Sequence, residues 1–563
     1  MWEVIDVGRN YAWLPHLTNE IVSGARKTKL CAYSVALEGW RRGLELKWYT
    51  ADSKMFNDMI IFGVNPPGRL FSLSSQERTH YFFRTRGDKV SNEAVQIGSD
   101  KDETKFWLAK AGVPVPEGKM FGEEIQDESI ISYAVSIGFP VVLKPTNGSL
   151  GKGVITNIKN GDELRKALFY VRKELGYTEV IVERYVPGEE YRVYVVEDQV
   201  IGAYNRLPAN IIGDGIHSIK ELIELKNQER KKNPRLHSCL IEIDQEILDF
   251  IQWEGYSLDS VPEKGKRIFL REKSNVSAGG DPIDVTDQLP IKIKDMAVNA
   301  IKAIPGLHHG GVDIIVGNNS EDKEVSAVVI ELNPTAQIGG ILFPIKGQAR
   351  DIPSAIIDYY FPETKGLNSQ HSNIYFDLNT VLDPLQSRSA LEVQVAPAPL
   401  GRLYAKKYIV SGKVQRVSYQ QWLRQQAFDL NLSGFINNVY DGTIEVVVAG
   451  TNKADVNNFK NILFQAPAKG TVKKVVEETW DEPVKVGFEI SEELNGSSTN
   501  LRSVETKLKK IKREMNRLEK EHRRIVRRVV LIEQSRSWKY TRPLREIGKW
   551  LKNLLKSFKP KGN

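Results

Sequence analysis

Three oxygen-bearing side chains stand in the stretch between residues 310 and 340: Asp313, Glu331 and Asn333. Asp313 lies in Gly-Gly-Val-Asp-Ile-Ile-Val, and the other two lie in Val-Ile-Glu-Leu-Asn-Pro-Thr-Ala-Gln-Ile-Gly-Gly. Glu331 and Asn333 are two residues apart, so on a strand both side chains leave the same face. Hard oxygen donors that leave several water positions open suit Mg²⁺, or Mn²⁺, held together with substrate phosphates. The alternative is that Asp313 and Glu331 are edge-strand charges facing water. The elements that would position them are two short β-branched runs around a charged turn at 317–324, the pattern of an antiparallel hairpin.

A second chemical stretch lies at 139–158, Phe-Pro-Val-Val-Leu-Lys-Pro-Thr-Asn-Gly-Ser-Leu-Gly-Lys-Gly-Val-Ile-Thr-Asn-Ile. A buried strand at 141–143 would deliver Lys144. A loop with Gly148, Gly151, Lys152 and Gly153 follows, then a second strand. Glycines let backbone N–H groups close over phosphate oxygens, and two lysines supply positive charge. No Gly-Lys-Ser/Thr leads into a helix, so this is a loop between strands rather than a Walker loop. Residues 179–196 predict strand, Pro187-Gly188 turn, strand, with Glu183, Glu189, Glu190 and Arg192 around the turn. Upstream, 100–108 begins a helix that Asp100 or Asp102 can cap. Lys101 and Lys105, taken alone, read as its solvated face.

The chain has 563 residues, too many for one core, which suggests three or more domains. Its 41% apolar and 27% charged content is that of a soluble globular protein. Two cysteines, Cys31 and Cys239, make no disulfide framework and fit a reducing compartment. Neither a basic-then-apolar leader nor an uncharged apolar run of spanning length occurs, so a cytoplasmic setting is expected. Residues 1–100 read as a small α/β domain with a helix at 34–44 and strands at 47–50 and 58–62. Trp40 and Trp48 read as core.

These motifs, in this order, resemble the ATP-grasp ligases: Lys144-Pro with the 148–153 loop, Glu183-Arg-Tyr-Val-Pro-Gly-Glu-Glu, and the Asp313/Glu331-Leu-Asn333 hairpin. The likeness is to the ATP-grasp half of cyanophycin synthetases and the second half of bifunctional glutathione synthetases. It continues through Asn205-Arg-Leu-Pro-Ala-Asn-Ile-Ile-Gly-Asp-Gly, Gly255-Tyr-Ser-Leu-Asp-Ser-Val-Pro and Leu270-Arg-Glu-Lys-Ser-Asn-Val-Ser-Ala-Gly-Gly, and the domain would run over 101–362. The resemblance implies that Lys101, Lys144 and Lys152 contact ATP phosphates under the glycine loop. Glu183 would lie at the adenine hinge and Glu190 at the ribose. Asp313, Glu331 and Asn333 would hold Mg²⁺, and Arg206 and Arg271 would face the reacting carboxyl and phosphoryl groups. Asn275, Ser277, Gly279 and Gly280 would line the acceptor site. The polymer-making synthetases carry a second, Mur-ligase-like half for which this sequence has no Walker loop, so cyanophycin synthesis itself is not expected and the substrates stay open.

Residues 363–401 read as a linker. Over 402–490 the order is strand (408–414), helix (418–430), strands (434–438, 443–449), helix (453–463) and a strand pair (472–490), a ferredoxin-like βαββαβ pattern. Val410-Ser-Gly-Lys-Val-Gln-Arg-Val-Ser-Tyr-Gln, Gly434-Phe-Ile-Asn-Asn and Asp441-Gly442 resemble acylphosphatase. In that family an arginine holds phosphate and an asparagine orients water. Here the asparagine is Asn438, but the arginine position is Gln420 and a loop glycine is Arg416. A neutral amide does not replace a guanidinium fork, so weak or no acylphosphatase activity is expected, although Arg416 or Arg424 could substitute.

Net charge is +8 overall, yet residues 501–563 hold 21 Lys+Arg against 6 Asp+Glu. After a flexible linker at 491–500, Val504, Leu508, Ile511, Met515, Leu518, His522, Ile525, Val529 and Ile532 recur at heptad spacing over 501–534, a coiled coil that would make a homo-oligomer. Residues 535–563 restart after Pro543 as a basic amphipathic helix suited to an anionic membrane surface at the inner face of a membrane. Its Ser-Trp-Lys-Tyr-Thr-Arg-Pro-Leu-Arg also resembles a short C-terminal sequence of bacterial surface-polysaccharide glycosyltransferases. Nucleic-acid binding is the competing reading of the same charge. The fold class expected is thus α/β, an ATP-grasp fold followed by an acylphosphatase-like domain, a coiled coil and a basic tail. The function expected is an ATP- and Mg²⁺-dependent carboxylate–amine ligase working through an acyl phosphate, on an amino acid, peptide or anionic envelope polymer. Its alternatives are a non-catalytic nucleotide-binding scaffold and an acylphosphatase.

Overall fold

The five-stranded antiparallel sheet at the centre of the molecule carries chemistry on one face and core on both. In sheet order its strands are Asp281–Asp284, Gln199–Leu207, Glu189–Val196, His309–Val316 and Ala327–Asn333. The computed structural model describes residues 13–146, 153–317, 327–367, 373–414, 417–439, 442–465 and 471–491. In Glu189–Val196 the side chains alternate. Val193 and Val195 join one core with the helices Asn92–Ser99, Lys101–Lys110 and Ile291–Ala303, whereas Tyr194 and Val196 join another. A strand buried on both faces reads as a continuous apolar run at that end. At its other end the same strand turns polar.

The second core belongs to the N-terminal unit. Helix Thr28–Arg41 is buried along almost its whole length. It lies on a sheet ordered Glu392–Gln394, Glu45–Tyr49, Leu70–Ser74, Thr79–Phe83, Arg86–Gly87. Trp40 and Trp48 are both fully buried there, as their apolar surroundings required. Two expectations fail here. Residues 58–62 are not a strand: the Ile60 N–H donates to Asn92 Oδ1 and its carbonyl accepts from Arg86 Nη1, so side chains satisfy the backbone in place of a ladder. Nor is 363–401 a mere linker. Ile374, Phe376, Leu378, Leu382, Leu385, Val395 and Ala398 belong to the same core, and Glu392–Gln394 is an edge strand of the sheet. Its local composition is polar because only one side of each short element is covered.

A four-stranded antiparallel sheet, ordered Gly118–Phe121, Val180–Arg184, Val141–Pro145, Ile155–Ile158, is covered by helices Asp127–Ile137 and Gly161–Leu168. Residues 210–269 form a small satellite unit, with paired strands Asn210–Ile212 and Arg267–Phe269 and helices Ile219–Lys232 and Gln245–Trp253 around their own core.

The downstream domain has the predicted βαββαβ order: Tyr404–Lys413, Val417–Asp429, Ser433–Asn438, Ile444–Gly450, Lys453–Phe464, Thr471–Thr479. Its sheet order is fourth, first, third, second strand, extended by Phe488–Ser491 running parallel to the second. It is joined to the N-terminal unit by a parallel pair, Ile374–Tyr375 with Val484–Lys485. Among the described residues no helix is long and apolar enough to cross a membrane. Gly148, Gly151, Lys152, Arg416, the coiled coil at 501–534 and the basic tail at 535–563 lie outside the described residues.

Candidate active site

Cross-strand register assembles the site. Asp313 is paired opposite Arg192 on one neighbouring strand and opposite Glu331 on the other. Glu190 lies two residues from Arg192, on the same face. Arg206 is two residues beyond Tyr204, whose partner is Arg192. Read across four adjacent strands, one face therefore presents Arg206, then Arg192 with Glu190, then Asp313, then Glu331 with Asn333, so two arginines on one side meet two acids on the other. Cross-strand neighbours on one face lie within side-chain reach, and opposite charges there attract.

Asp313 is almost fully buried, with 1% of its side chain exposed. Arg192 grips it side-on, Nε donating to Oδ1 at 2.6 Å and Nη2 to Oδ2 at 2.7 Å. Arg206 Nη2 spans both oxygens at 3.1 and 3.0 Å, and its Nη1 donates to Glu190. A carboxylate has about four lone-pair positions, so these contacts fill Asp313. Burial alone would raise the Asp313 pKa, but Arg192 and Arg206 outweigh it and hold the carboxyl below its usual range. Glu331 goes the other way. Burial first, and then the charge of Asp313, push its carboxyl up. Two acids sharing one place behave in this manner until a cation arrives between them.

The phosphate-binding candidates stand across from this face. Lys144 Nζ donates to Glu183 at 2.6 Å and Lys105 Nζ donates to the other oxygen of Glu183 at 3.1 Å. Burial alone would raise the Glu183 pKa; the two lysines lower it. Lys101 Nζ donates to the Thr146 carbonyl at 3.3 Å. Burial pulls its pKa down, with the charge of Glu331 opposing. Asp100, not Asp102, caps that helix. Lys105, which as sequence reads as solvated, is a site residue that only the tertiary pairing reveals. Arg192 is another: its role is legible only once Asp313 is known to lie opposite.

Three of the expected residues are held by partners within the protein. Glu183, expected at the adenine hinge, is turned to Lys105 and Lys144, because an acid this deeply buried is held by partners of opposite charge. Glu190, expected to await ribose, accepts from Arg206 and from Ser274 Oγ. Arg271, expected beside the reacting groups, donates to Asp244 at 2.7 Å and to Glu246. Those acids cap and open helix Gln245–Trp253 and draw the guanidinium to them.

The acceptor loop is held by backbone geometry. Asn275 Oδ1 accepts from the Ser277 N–H at 2.9 Å. Gly279 sits at φ +101°, and a Cβ on Gly280 would meet the Leu207 carbonyl at 2.8 Å. Asp281 anchors the end of the loop, bonded to Arg230 Nη1 at 2.7 Å and Lys226 Nζ at 2.5 Å.

The metal donor set fits a hard divalent cation. Asp313 and Glu331 face each other in register, and the buried Asn333 Nδ2 has no hydrogen-bond partner among the described residues. The two ends of an amide are assigned from such partners, so this side chain is free to present its oxygen. Among the described residues no three His, Cys, Asp or Glu side chains gather, so the third donor would be this amide. In the downstream domain, Gln420 Nε2 donates to Asn438 Oδ1 at 2.7 Å, and Gln420 is 3% exposed.

This arrangement resembles that of an ATP-grasp domain. Residues 98–217 match the RimK-like ATP-grasp domain, and residues 406–490 match acylphosphatase. The chain is similar to cyanophycin synthetase of Trichormus variabilis, 34% identical over 281 residues, 49% of this chain and 31% of that protein. It is also similar to the glutathione biosynthesis bifunctional protein GshAB of Clostridium perfringens, 32% identical over 296 residues, 52% of this chain and 37% of that protein. A bifunctional glutathione synthetase structure from Pasteurella multocida aligns over 52% of this chain and 41% of that one, at 30% identity and a TM-score of 0.42. The matched part thus spans well under half the length of these relatives.

Proposed function

We propose that this protein is an ATP- and Mg²⁺-dependent carboxylate–amine ligase that forms an amide through an acyl phosphate. The observation that carries the reading is the single sheet face on which Arg206 and Arg192 meet Asp313 and Glu331, opposite Lys144, Lys105 and Lys101. The similarity to ligases built on the same domain supports it.

Each group has a definable task. Lys144, Lys101 and Lys105 neutralise phosphate oxygens, which phosphoryl transfer asks of a protein more than covalent help. Glu183 keeps two of those lysines aligned while no nucleotide is bound. Asp313, Glu331 and Asn333 would hold the metal, which supplies charge neutralisation between the phosphates. Asp313 is saturated by two guanidinium groups, so one must yield for it to become a ligand. Arg206 is the one to move, because its contacts are longer and come from a single nitrogen. Once released it can turn to the carboxylate being activated, while Arg192 keeps Asp313 oriented. An acyl phosphate must be shielded from water until the amine attacks it, and the 148–153 loop is the sequence element suited to that. The downstream domain we assign to docking rather than hydrolysis. The charge of the C-terminal sequence supports a homo-oligomer held at an anionic surface.

Phosphate release from Mg·ATP against pools of amino acids and amino sugars tests the reading. Release that needs a particular pair and disappears in Glu331→Gln supports it. Absence of any nucleotide binding overturns it.

A further inference from the structure

Arg235 is a buried guanidinium without an acid. It is 7% exposed, and among the described residues no carboxylate lies within salt-bridge distance of it. Its donors reach neutral side-chain ends. Nη1 points to Cys239 Sγ at 3.1 Å, and Nη2 to Gln337 Oε1 at 3.0 Å and Ser277 Oγ at 3.3 Å. Burying a charge against neutral partners alone is costly. Two neighbours show how this protein normally settles such a group. Arg230 has the Asp281 carboxylate. Arg86 is still more deeply buried than Arg235, but its guanidinium is held mainly by the backbone carbonyls of Ile60 and Val90, which are fixed, with Asn92 Oδ1 besides. Arg235 has neither arrangement. Its partners are a hydroxyl, an amide and a thiol, all of which can rotate away, and Ser277 is exposed.

The position is as telling as the chemistry. Ser277 lies three residues after Ser274, which donates to Glu190, the partner of Arg206. Gln337 lies four residues after Asn333. Arg235 therefore joins the far ends of two segments whose near ends hold the reacting face. A Cβ at Gly339 would come within 2.6 Å of Arg235 Cδ, so the glycine there leaves room for the arginine stem.

We propose that Arg235, with Ser277 and Gln337, is a carboxylate-binding subsite for the amine substrate, and that it selects an amine whose own carboxylate is free. This rests on the ligase reading. The carboxylate would lie against the Nη2 edge, taking the place of the Gln337 amide and accepting also from Ser277 Oγ. The bound group is not the carboxylate that is phosphorylated, which belongs by Arg206. A free amino acid, a peptide C-terminus or an acidic sugar of a polymer could each provide it.

The test uses the full chain with Mg²⁺ and a non-hydrolysable ATP analogue. Thermal stabilisation is measured with a pool of free amino acids and short peptides, with the matching pool of their carboxamides, and with uronic acids bearing an amine. Turnover is then measured with whichever compounds bind. The expected result is binding by a free acid and about 10- to 100-fold weaker binding by its carboxamide, the worth of a charge-assisted hydrogen bond. In Arg235→Gln that discrimination should collapse, KM for the amine rising while kcat changes little. Arg235→Lys should retain part of it. The comparison of acid with carboxamide in the unaltered protein needs no variant to fold. Equal binding of acid and carboxamide, stabilisation by no free acid, or intact discrimination in Arg235→Gln each overturns the subsite while leaving the ligase reading in place. Failure to bind the ATP analogue overturns both.

Discussion

The two phosphate-type sites of this molecule resolve the same problem in opposite ways. In the ATP-grasp region, buried ions neutralise one another: Asp313 with Arg192 and Arg206, Glu183 with Lys105 and Lys144. Each pair contains a group that can exchange its partner for a phosphate or a metal. In the acylphosphatase-like domain the corresponding place holds Gln420 bonded to Asn438. That pair is neutral, with Gln420 buried and Asn438 partly so, and it offers an anion no charge. A site that keeps its ligand chemistry keeps charges whose partners can be swapped. In the downstream pair the neutral groups hold each other instead.

The contrast can be broken most sharply at Asp313. Asp313→Asn should lower Mg·ATP turnover by about 10²–10³-fold, since it removes one charged group from a preorganised face. Phosphate release measures it, and circular dichroism should show an unchanged fold. Lys144→Met comes next. It should cost about 1.5–3 kcal/mol in kcat/KM for ATP, the worth of a charged hydrogen bond, read from initial rates over an ATP series.

The third prediction concerns the strand that carries Asp313. His309 is fully buried between the hydroxyls of Tyr194 and Tyr360, and burial, followed by the charges of His308 and Arg86, pushes its pKa down to about 3. The unfolded histidine takes a proton first as pH falls. Stability is therefore complete above about pH 6.5 and is lost below it at about 1.4 kcal/mol per pH unit for this one group. Denaturant unfolding at several pH values should show that slope, and His309→Gln should flatten it. The smallest effect is expected in the other region. Asn438→Ala should cost about 1 kcal/mol of stability. Acetyl phosphate hydrolysis without ATP should stay at background in both proteins.

Local pattern carried the hairpin, the βαββαβ order and the acid–acid–amide set, because each depends on alternation or short spacing. Lys105 and Arg192 stayed hidden because what makes them site residues is a partner far away in sequence: 78 residues for Lys105 and 121 for Arg192. Residues 363–401 read as a linker for a different reason. Leu378, Leu382 and Leu385 do keep helical spacing in the helix Leu378–Gln386, but that helix is short and carries Pro384, and the strands beside it are only two or three residues long. Arg271 and Glu190 carry roles implied by resemblance, whereas in this structure the nearest opposite charges hold them.

The central claim is that the Asp313 face activates a carboxylate with ATP. Trapping with hydroxylamine tests it most directly, because an acyl phosphate yields a hydroxamate. With Mg·ATP and a carboxylate pool, the unaltered protein should accumulate hydroxamate as ADP forms, and Glu331→Gln should accumulate none. ADP formation without hydroxamate, or hydroxamate undiminished in Glu331→Gln, would contradict the account.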